Sequence, residues 1–404
     1  MIRTPRNVAA VLLTLTLPLS VATAASMSFP AAAASSADRS DVRLAIPHPT
    51  GQYGVGRDTL HLVDGKRRDL WVPAAGAREL MVSMYYPAGT SGSAAPYMTM
   101  DEARLLLKGQ KLDTLFKAEL LADTRTNARV GARPVGGRHP LVVLSPGFTL
   151  NRATLTTLAE ELASKGYVVA LIDHAYESYG TTFPGGRTLT CVACETVEKA
   201  PSDEEEKKLL GKAAAGRAAD ISFVIDQLTR AGGHAPVWKR WKMIDPQRIG
   251  AAGHSLGGNA AASVMATDRR VRAGANMDGT FFAPVPNAGL GKRPFLMLGT
   301  KAQHSPDSTD TSWPRDWQRL DGWKRWLTVA DSGHFTFIDL PILGGQAGIT
   351  DPTAPLPGKR SGEITTAYVG AFFDQHLRGE HQQLLDGPST ANPEVSFQNP
   401  WKAR

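Results

Sequence analysis

Apolar and polar positions follow a strand-like pattern near the start of the chain. Residues 58–63 and 79–86 show the alternation and β-branched content of strands and predict a hairpin-like pair. A Gly/Ser/Ala stretch at 88–96 predicts a surface loop. Apolar residues within 101–121 recur at roughly helical spacing. We therefore expect two strands, a loop and a helix in this part.

From residue 139 the pattern changes to buried-type strands that alternate with helices. The predicted strands are residues 141–144, 167–172, 248–252, 271–276, 294–299 and 326–330. The predicted helices are residues 155–165, 204–228, 257–266 and 364–377. Such alternation predicts an α/β fold with a mostly parallel central sheet and helices on both faces. Ligands of such sheets bind beyond the carboxyl ends of the strands.

We expect one large domain with flanking segments. The catalytic domain is predicted at residues 51–379, with a Gly/Thr/Cys-rich insertion at about 175–203. Polar, proline-containing residues 35–50 predict a flexible lead-in, and residues 380–404 a C-terminal tail.

The first 34 residues predict a secretory signal peptide and its cleavage region. Two arginines precede an uncharged apolar run at 8–21, and small residues around Ala24 and at 31–34 offer cleavage sites. The run is shorter than the roughly 20 residues that a membrane-spanning helix needs, and Pro18 interrupts it. We expect a secreted, extracellular protein with no transmembrane segment in its mature form.

Charge and cysteine content exclude some partners but do not indicate a function. The formal net charge is +7, with basic residues scattered along the chain, so no nucleic-acid partner is predicted. The two cysteines, Cys191 and Cys194, predict a local disulfide that pins a loop in an exported chain. A metal site is not predicted, because a second pair of ligands is missing.

The sequence Gly253-His254-Ser255-Leu256-Gly257 predicts a nucleophile. It fits the G-x-S-x-G pattern and lies between a predicted strand and a predicted helix, the context of a nucleophile elbow. Glycines remove side chains that would collide in so sharp a turn. Serine is a poor nucleophile until a base takes its proton, so a histidine and a carboxylate must follow in the chain.

His334 is the predicted base. It lies in a loop directly after the last predicted sheet strand, between Gly333 and Phe335. His304 is the competitor, but its Ser- and Pro-containing surroundings read as solvated. His254, beside the nucleophile, is interpreted as a packing or hydrogen-bonding residue.

The acid has several candidates. Asp278 ends the strand after the nucleophile's helix, at a tight turn with Gly279. Asp307 and Asp310 follow the next strand, in a Ser/Thr/Pro/Asp loop that reads as a solvated turn. Asp331, near His334, is a weaker candidate. The pattern favours Asp278 and leaves the others open.

The tetrahedral oxyanion of acyl transfer needs backbone N–H donors. One is predicted at Leu256, after the nucleophile, and the other in the loop after an early strand. Pro146 in that loop has no N–H, so Phe148 is the predicted second donor.

The chain resembles the platelet-activating-factor acetylhydrolase branch of the α/β hydrolases, including bacterial secreted esterases and lipases. The segments that carry the resemblance, within residues 47–377, are Thr50-Gly51-Gln52-Tyr53-Gly54-Val55-Gly56, Tyr85-Tyr86-Pro87-Ala88, Ser145-Pro146-Gly147-Phe148, Ile172-Asp173-His174, Gly253-His254-Ser255-Leu256-Gly257-Gly258, Met277-Asp278-Gly279 and Gly333-His334. The resemblance implies Ser255, Asp278 and His334 as a catalytic triad, Phe148 and Leu256 as oxyanion donors, and chemistry without metal or organic cofactor. The loop reads Ser-Pro-Gly-Phe where relatives often have Ser-His-Gly.

The expected function is hydrolysis of lipid-like or short-acyl carboxylic esters through an acyl-enzyme. An acyltransferase with an alcohol acceptor and a non-catalytic binding protein of the same fold remain alternatives. The expected partner is a small-molecule or lipid ester, with transient contact to a lipid surface. Four tryptophans, Trp313, Trp317, Trp323 and Trp326, precede His334 and either line an acyl pocket or belong to the core.

Overall fold

A computed structural model describes residues 42–229 and 235–399. The predicted signal peptide at 1–34 lies outside the described residues.

The described residues form thirteen strands and ten α-helices. The strands are β1 Gly54–Arg68, β2 Ala77–Ala88, β3 Ser93–Ala94, β4 Arg129–Val130, β5 His139–Ser145, β6 Val168–His174, β7 Thr181–Thr182, β8 Thr188–Leu189, β9 Ile244–His254, β10 Val271–Met277, β11 Phe295–Thr300, β12 Lys324–Val329 and β13 Val395–Gln398. The helices are α1 Met100–Gly109, α2 Ala118–Ala122, α3 Thr156–Ser164, α4 Val192–Glu198, α5 Asp203–Leu228, α6 Leu256–Thr267, α7 Lys301–His304, α8 Ser312–Arg319, α9 Asp339–Gln346 and α10 Gly358–Phe373.

Eleven strands form one sheet, in the order β13-β12-β11-β10-β9-β5-β6-β2-β1-β4-β3. The six strands from β12 to β6 run parallel, whereas β2 and β13 pair antiparallel at the two ends of this parallel block. The predicted hairpin is β1 with β2, in a register that places Leu60 opposite Val82. The predicted α/β architecture is therefore confirmed.

Side chains of the parallel strands alternate between two apolar layers. In β5, Val142 and Leu144 pack on one face with α3 and α10, and Leu141 and Val143 pack on the other with α5 and α6. A strand buried on both faces reads as a continuous apolar run, which is why these strands were recognisable in the sequence. The carboxyl ends of β9, β10 and β12 meet at the same edge of the sheet, since parallel strands end together.

The structure differs from the predicted flanking segments. Residues 42–50 fall in the predicted flexible lead-in, yet Leu44 and Ile46 are buried in the core and Ile46 N–H donates to Arg125 O at 2.8 Å. Residues 380–399 fall in the predicted tail, yet they include β13, which extends the sheet beside β12. Leu385 is fully buried and Val395 nearly so.

The predicted insertion at about 175–203 is a compact segment that contains the β7–β8 hairpin and α4. A disulfide joins Cys191 to Cys194, the residue before α4 to a residue within it. Among the residues that the structure describes, no helix has the length and apolar character needed to cross a membrane.

Candidate active site

Ser255 lies in a sharp turn between β9, which ends at His254, and α6, which begins at Leu256. Its backbone is strained, with φ 55° and ψ −124°. The turn exists only because glycines surround it. A Cβ on Gly257 would lie 2.0 Å from Ser145 O, and one on Gly253 would lie 2.3 Å from the carbonyl carbon of Gly257. This is the geometry of a nucleophile elbow, with the serine side chain directed out of the sheet edge.

The three residues predicted as a triad lie in hydrogen-bonding contact. His334 Nε2 is 2.9 Å from Ser255 Oγ, and His334 Nδ1 is 2.6 Å from Asp278 Oδ2. Asp278 follows β10 directly, and His334 follows β12 after a short loop. The imidazole of His334 is about two-thirds buried, and Asp278 is fully buried. A neutral His334 with its proton on Nδ1 has a free Nε2 lone pair that can accept the Ser255 proton.

Asp278 is held by three donors. Besides His334, its Oδ1 accepts from Thr300 N–H at 2.7 Å and from His304 Nδ1 at 2.7 Å. Burial alone raises the pKa of Asp278, but the charge of His304 and the hydrogen bonds from both histidines outweigh burial and hold that pKa well below its usual range. Asp278 is therefore a carboxylate throughout the neutral range.

The prediction that His304 is solvated is wrong. His304 is 2% exposed, and its ring stacks on Trp313 with centroids 4.2 Å apart. Its Nε2 lies 3.2 Å from Asp310 Oδ2. Burial opposes its protonation, but Asp278 and Asp310 outweigh burial and raise the pKa of His304 to about 9. The polar composition of the loop does not reveal this burial, because the contacting tryptophans, Trp313 and Trp326, belong to the following elements α8 and β12.

The alternative acids lie outside the Ser255–His334 contact. Asp310 Oδ2 contacts His304 Nε2 and accepts a hydrogen bond from Thr280 Oγ1 at 2.6 Å. Asp310 therefore does not lie in the solvated turn that the sequence predicted. Asp307 is exposed on the same loop. Asp331 is also exposed, and its carbonyl accepts from Leu356 N–H. Of the four predicted candidates, Asp278 is the one whose carboxylate contacts the His334 ring.

His254 supports the backbone of His334. It is fully buried, and its Nε2–H donates to His334 O at 2.7 Å. Burial and the nearby His334 lower the pKa of His254 to about 3, so it is neutral and its other nitrogen carries no proton. A Cβ on Gly147 would lie 2.8 Å from His254 Nδ1, so the backbone at Gly147 packs closely against the His254 ring.

The two predicted oxyanion donors belong to one apolar cluster. Leu256 is buried in it, and half-buried Phe148 packs against it together with Trp71 and Phe282. The loop that carries Phe148 is fixed on both sides. Arg217 Nη1 donates to Pro146 O at 2.5 Å, and Thr149 N–H donates to Glu177 O at 2.9 Å.

A buried ionic network lies beneath this loop and was not anticipated from the sequence. Arg217 Nε donates to Glu177 Oε2 at 2.7 Å, and Arg78 bridges Glu177 and Asp220. The charges are paired, as buried charges must be. Ser145 Oγ lies 2.9 Å from His174 Nε2, and His174 Nδ1 lies 2.8 Å from Asp220 Oδ2.

Of the four tryptophans before His334, three belong to the core, and Trp323 is half-buried on the other face of the sheet, beside Phe372 and His376. Trp313 and Trp326 are fully buried and Trp317 is 8% exposed, all on the α5–α6 side of the sheet. The half-buried aromatics Trp71, Phe148 and Phe282 instead pack against the cluster that contains Leu256, the residue after Ser255. The described residues contain no group of three or more His, Cys, Asp and Glu side chains placed to hold a metal ion.

Comparison with known proteins yields a consistent set of relatives. A family model described as "Platelet-activating factor acetylhydrolase, isoform II" matches residues 39–214. A protein of Arthroderma benhamiae, named a probable 1-alkyl-2-acetylglycerophosphocholine esterase, is 30% identical over 384 residues, which cover 87% of this chain and 93% of that protein. The platelet-activating factor acetylhydrolase of Gallus gallus is 23% identical over 307 residues, covering 67% of this chain and 68% of that one.

A solved structure is also similar. The ferulic acid esterase from Streptomyces cinnamoneus is 41% identical and superposes with a TM-score of 0.76, covering 88% of this chain and 99% of the other.

Proposed function

The chain belongs to the platelet-activating factor acetylhydrolase family of α/β hydrolases, and from that premise we propose that it cleaves carboxylic esters through an acyl-enzyme on Ser255. It is a carboxylic ester hydrolase, as its esterase and acetylhydrolase relatives indicate. The observation that carries the proposed mechanism is the pair of contacts at His334, 2.9 Å to Ser255 Oγ and 2.6 Å to Asp278 Oδ2.

In the proposed reaction, Ser255 Oγ attacks the ester carbonyl as His334 Nε2 takes its proton. The carboxylate of Asp278 stabilises the resulting imidazolium and holds its ring in place. The N–H groups of Phe148 and Leu256 stabilise the tetrahedral oxyanion. His334 then protonates the departing alcohol, and a water molecule activated by His334 releases the acid.

The proposed substrates are lipid-like or short-acyl esters. The name of the Arthroderma benhamiae relative supports an acetyl ester of a glycerophospholipid. The Streptomyces cinnamoneus structure favours a second candidate, an ester of ferulic acid. The half-buried aromatics Trp71, Phe148 and Phe282, in the cluster of Leu256 next to the nucleophile in sequence, suit an apolar acyl group of either kind.

We also propose that the protein is secreted. Its support is the order of an arginine-containing start, an apolar run and small residues within the first 34 residues. Expression of the full chain, followed by amino-terminal sequencing of protein recovered from the medium, tests this. Intact Met1 on protein retained by the cells contradicts it.

The test of function compares wild type with Ser255→Ala on p-nitrophenyl esters from acetyl to palmitoyl, on methyl ferulate and on an alkyl-acetyl-glycerophosphocholine. We expect loss of hydrolysis in the variant and covalent labelling of wild-type Ser255 by a serine-directed phosphonate. Full activity of Ser255→Ala refutes the mechanism. Product analysis with an added alcohol separates hydrolysis from acyl transfer.

A further inference from the structure

Asp278 contacts two histidines rather than one. His334 uses Oδ2, and His304 Nδ1 lies 2.7 Å from Oδ1. The other nitrogen of His304, Nε2, lies 3.2 Å from Asp310 Oδ2. Ionised carboxylates only accept hydrogen bonds, so a ring between two of them carries a proton on each nitrogen. The geometry alone therefore indicates a buried imidazolium.

The surroundings of His304 favour this charged form. Asp278, after β10, and Asp310, in the loop after α7, are the charged groups that face it. The remaining contacts are the stacked ring of Trp313 and the indole N–H of Trp326, which donates to His304 O at 2.6 Å. Consistent with the geometry, the two carboxylates raise the pKa of His304 to about 9 although burial opposes it.

We propose that His304 is a positioning residue of the triad, a buried cation that offsets part of the Asp278 charge acting on His334 and so extends ester hydrolysis to lower pH. This inference rests on the proposed function. The two ring nitrogens of His304 contact Asp278 and Asp310 rather than Ser255, so His304 acts through Asp278.

The reason is electrostatic. His334 must be neutral at Nε2 to take the serine proton, and an uncompensated carboxylate at Nδ1 stabilises its protonated, inactive form. A cation on the opposite oxygen of that carboxylate weakens this effect. Within residues 42–229 and 235–399, the groups in contact with the His334 ring are Asp278, Ser255 and the neutral rings of His254 and Phe335, and none of these is a cation.

His304 also fixes the orientation of Asp278. Together with Thr300 N–H it occupies Oδ1, which leaves Oδ2 facing His334. A carboxylate free to rotate would present either oxygen, whereas this one is fixed by donors on both sides. Charge and orientation are separable, because an asparagine side chain can keep one N–H donor near the position of His304 Nδ1 without the charge.

The experiment measures kcat/KM for p-nitrophenyl acetate against pH in wild type, His304→Asn, His304→Phe and Asp310→Asn. In His304→Asn we expect the acidic limb of the kcat/KM profile to move to higher pH by roughly one pH unit. One nearby charge shifts a titration by about this much. Asp310→Asn removes one of the two carboxylates that stabilise the positive charge of His304. The acidic limb of this variant therefore moves in the same direction, but by less. His304→Phe also loses the donor to Asp278, so it shifts and loses kcat at every pH.

The matched control is His376→Asn. His376 packs against Trp323 and Phe372, away from the triad, and this variant should keep the wild-type profile. Thermal unfolding establishes that each variant folds, and Asp310→Asn tests the idea without altering His304 itself. An unmoved acidic limb in both His304→Asn and Asp310→Asn overturns the inference, as does a uniform loss of kcat with no shift.

Failure of the inference is distinct from failure of the proposed function. Should Ser255→Ala retain full hydrolysis, the mechanism is wrong and the pH profile does not report on His334. Should Ser255→Ala be inactive while the limb of His304→Asn is unmoved, the mechanism stands and the role of His304 is refuted.

Discussion

Single residues at the site owe their properties to atoms that lie far away in the sequence. Ser255 and Asp278 both have positive φ, 55° and 58°. Serine rarely adopts that region, whereas aspartate tolerates it better, and strain such as that at Ser255 persists only where surrounding contacts hold it. Ser255 N–H donates to Met277 O, and Asp278 N–H donates to Leu298 O. Ladder hydrogen bonds of the central strands thus set the angles at which the two side chains leave the sheet.

We predict that Asp278→Asn lowers kcat by about ten-thousandfold, because an amide can hold His334 in the wrong tautomer. The measurement is steady-state hydrolysis of p-nitrophenyl acetate. Asp307→Asn is the matched control, since Asp307 is an exposed carboxylate after the neighbouring strand. Activity retained in Asp278→Asn but lost in Asp307→Asn contradicts the assignment of the acid.

The raised pKa of His304 predicts that the stability of the folded protein depends on pH. Its folded-state pKa is raised from 6.5 to about 9, so its contribution is complete below pH 6.5 and is lost as pH rises through 9. The difference corresponds to at most about 3 kcal/mol. We expect the wild-type melting temperature to fall more steeply than that of His304→Asn across this window. Parallel curves for the two proteins refute this prediction.

At the scale of single residues, the sequence predicted the triad candidates but not the surroundings of His304 and Asp310. Ser255, Asp278 and His334 follow strands directly, and strand ends are readable from apolar runs. His304 and Asp310 were misread because Ser, Pro and Asp dominate their loop. The cover over them comes from Trp313 and Trp326, whose packing depends on tertiary structure.

Among the elements, α5 links the fold to the candidate oxyanion loop. Its apolar stripe, Ile221, Val224, Ile225 and Leu228, is fully buried against the sheet. Arg217 lies on the same stripe, four residues before Ile221, and Asp220 lies beside it. Helical spacing therefore indicates that Arg217 and Asp220 both face inward. Their partners, Arg78 and Glu177, come from other elements and are not predictable from periodicity.

We predict that Arg217→Lys lowers kcat by about tenfold to hundredfold with little change in KM. Lysine keeps the charge but lacks the fork that reaches both Glu177 and Pro146 O, so the Phe148 N–H is misplaced for the oxyanion rather than for the substrate. Lys208→Met on the same helix is the control, because Lys208 is exposed and pairs only with surface glutamates. A raised KM with unchanged kcat contradicts the prediction.

Over the whole molecule, the ends of the described chain join the core that the sequence placed between residues 51 and 379. The apolar stretches here are too short to predict an element, since Leu44 and Ile46 are followed by Pro47, and Leu385 and Val395 are flanked by polar residues within one or two positions. They are buried because the parallel block leaves open faces and an open edge beside β12 that these segments cover. Contacts of this kind depend on the assembled sheet.

The edge strand β13 covers the free edge of β12, the strand before the loop of His334. It pairs with β12 from Trp326 opposite Gln398 to Val329 opposite Val395, and Ala330 N–H donates to Glu394 O just before the loop of His334. A chain ending at residue 393 loses this pairing and the burial of Val395. We expect its unfolding free energy to fall by about 2 to 4 kcal/mol.

Urea unfolding and ester hydrolysis measured on the chain ending at residue 393 and on one ending at residue 399, which keeps every described residue, test this. The longer chain is the reference. Because β12 delivers His334 to Ser255, we expect kcat to fall in the shorter chain at temperatures where it is still folded. Equal unfolding midpoints and equal kcat for the two chains would mean that β12 holds the His334 loop without its edge partner.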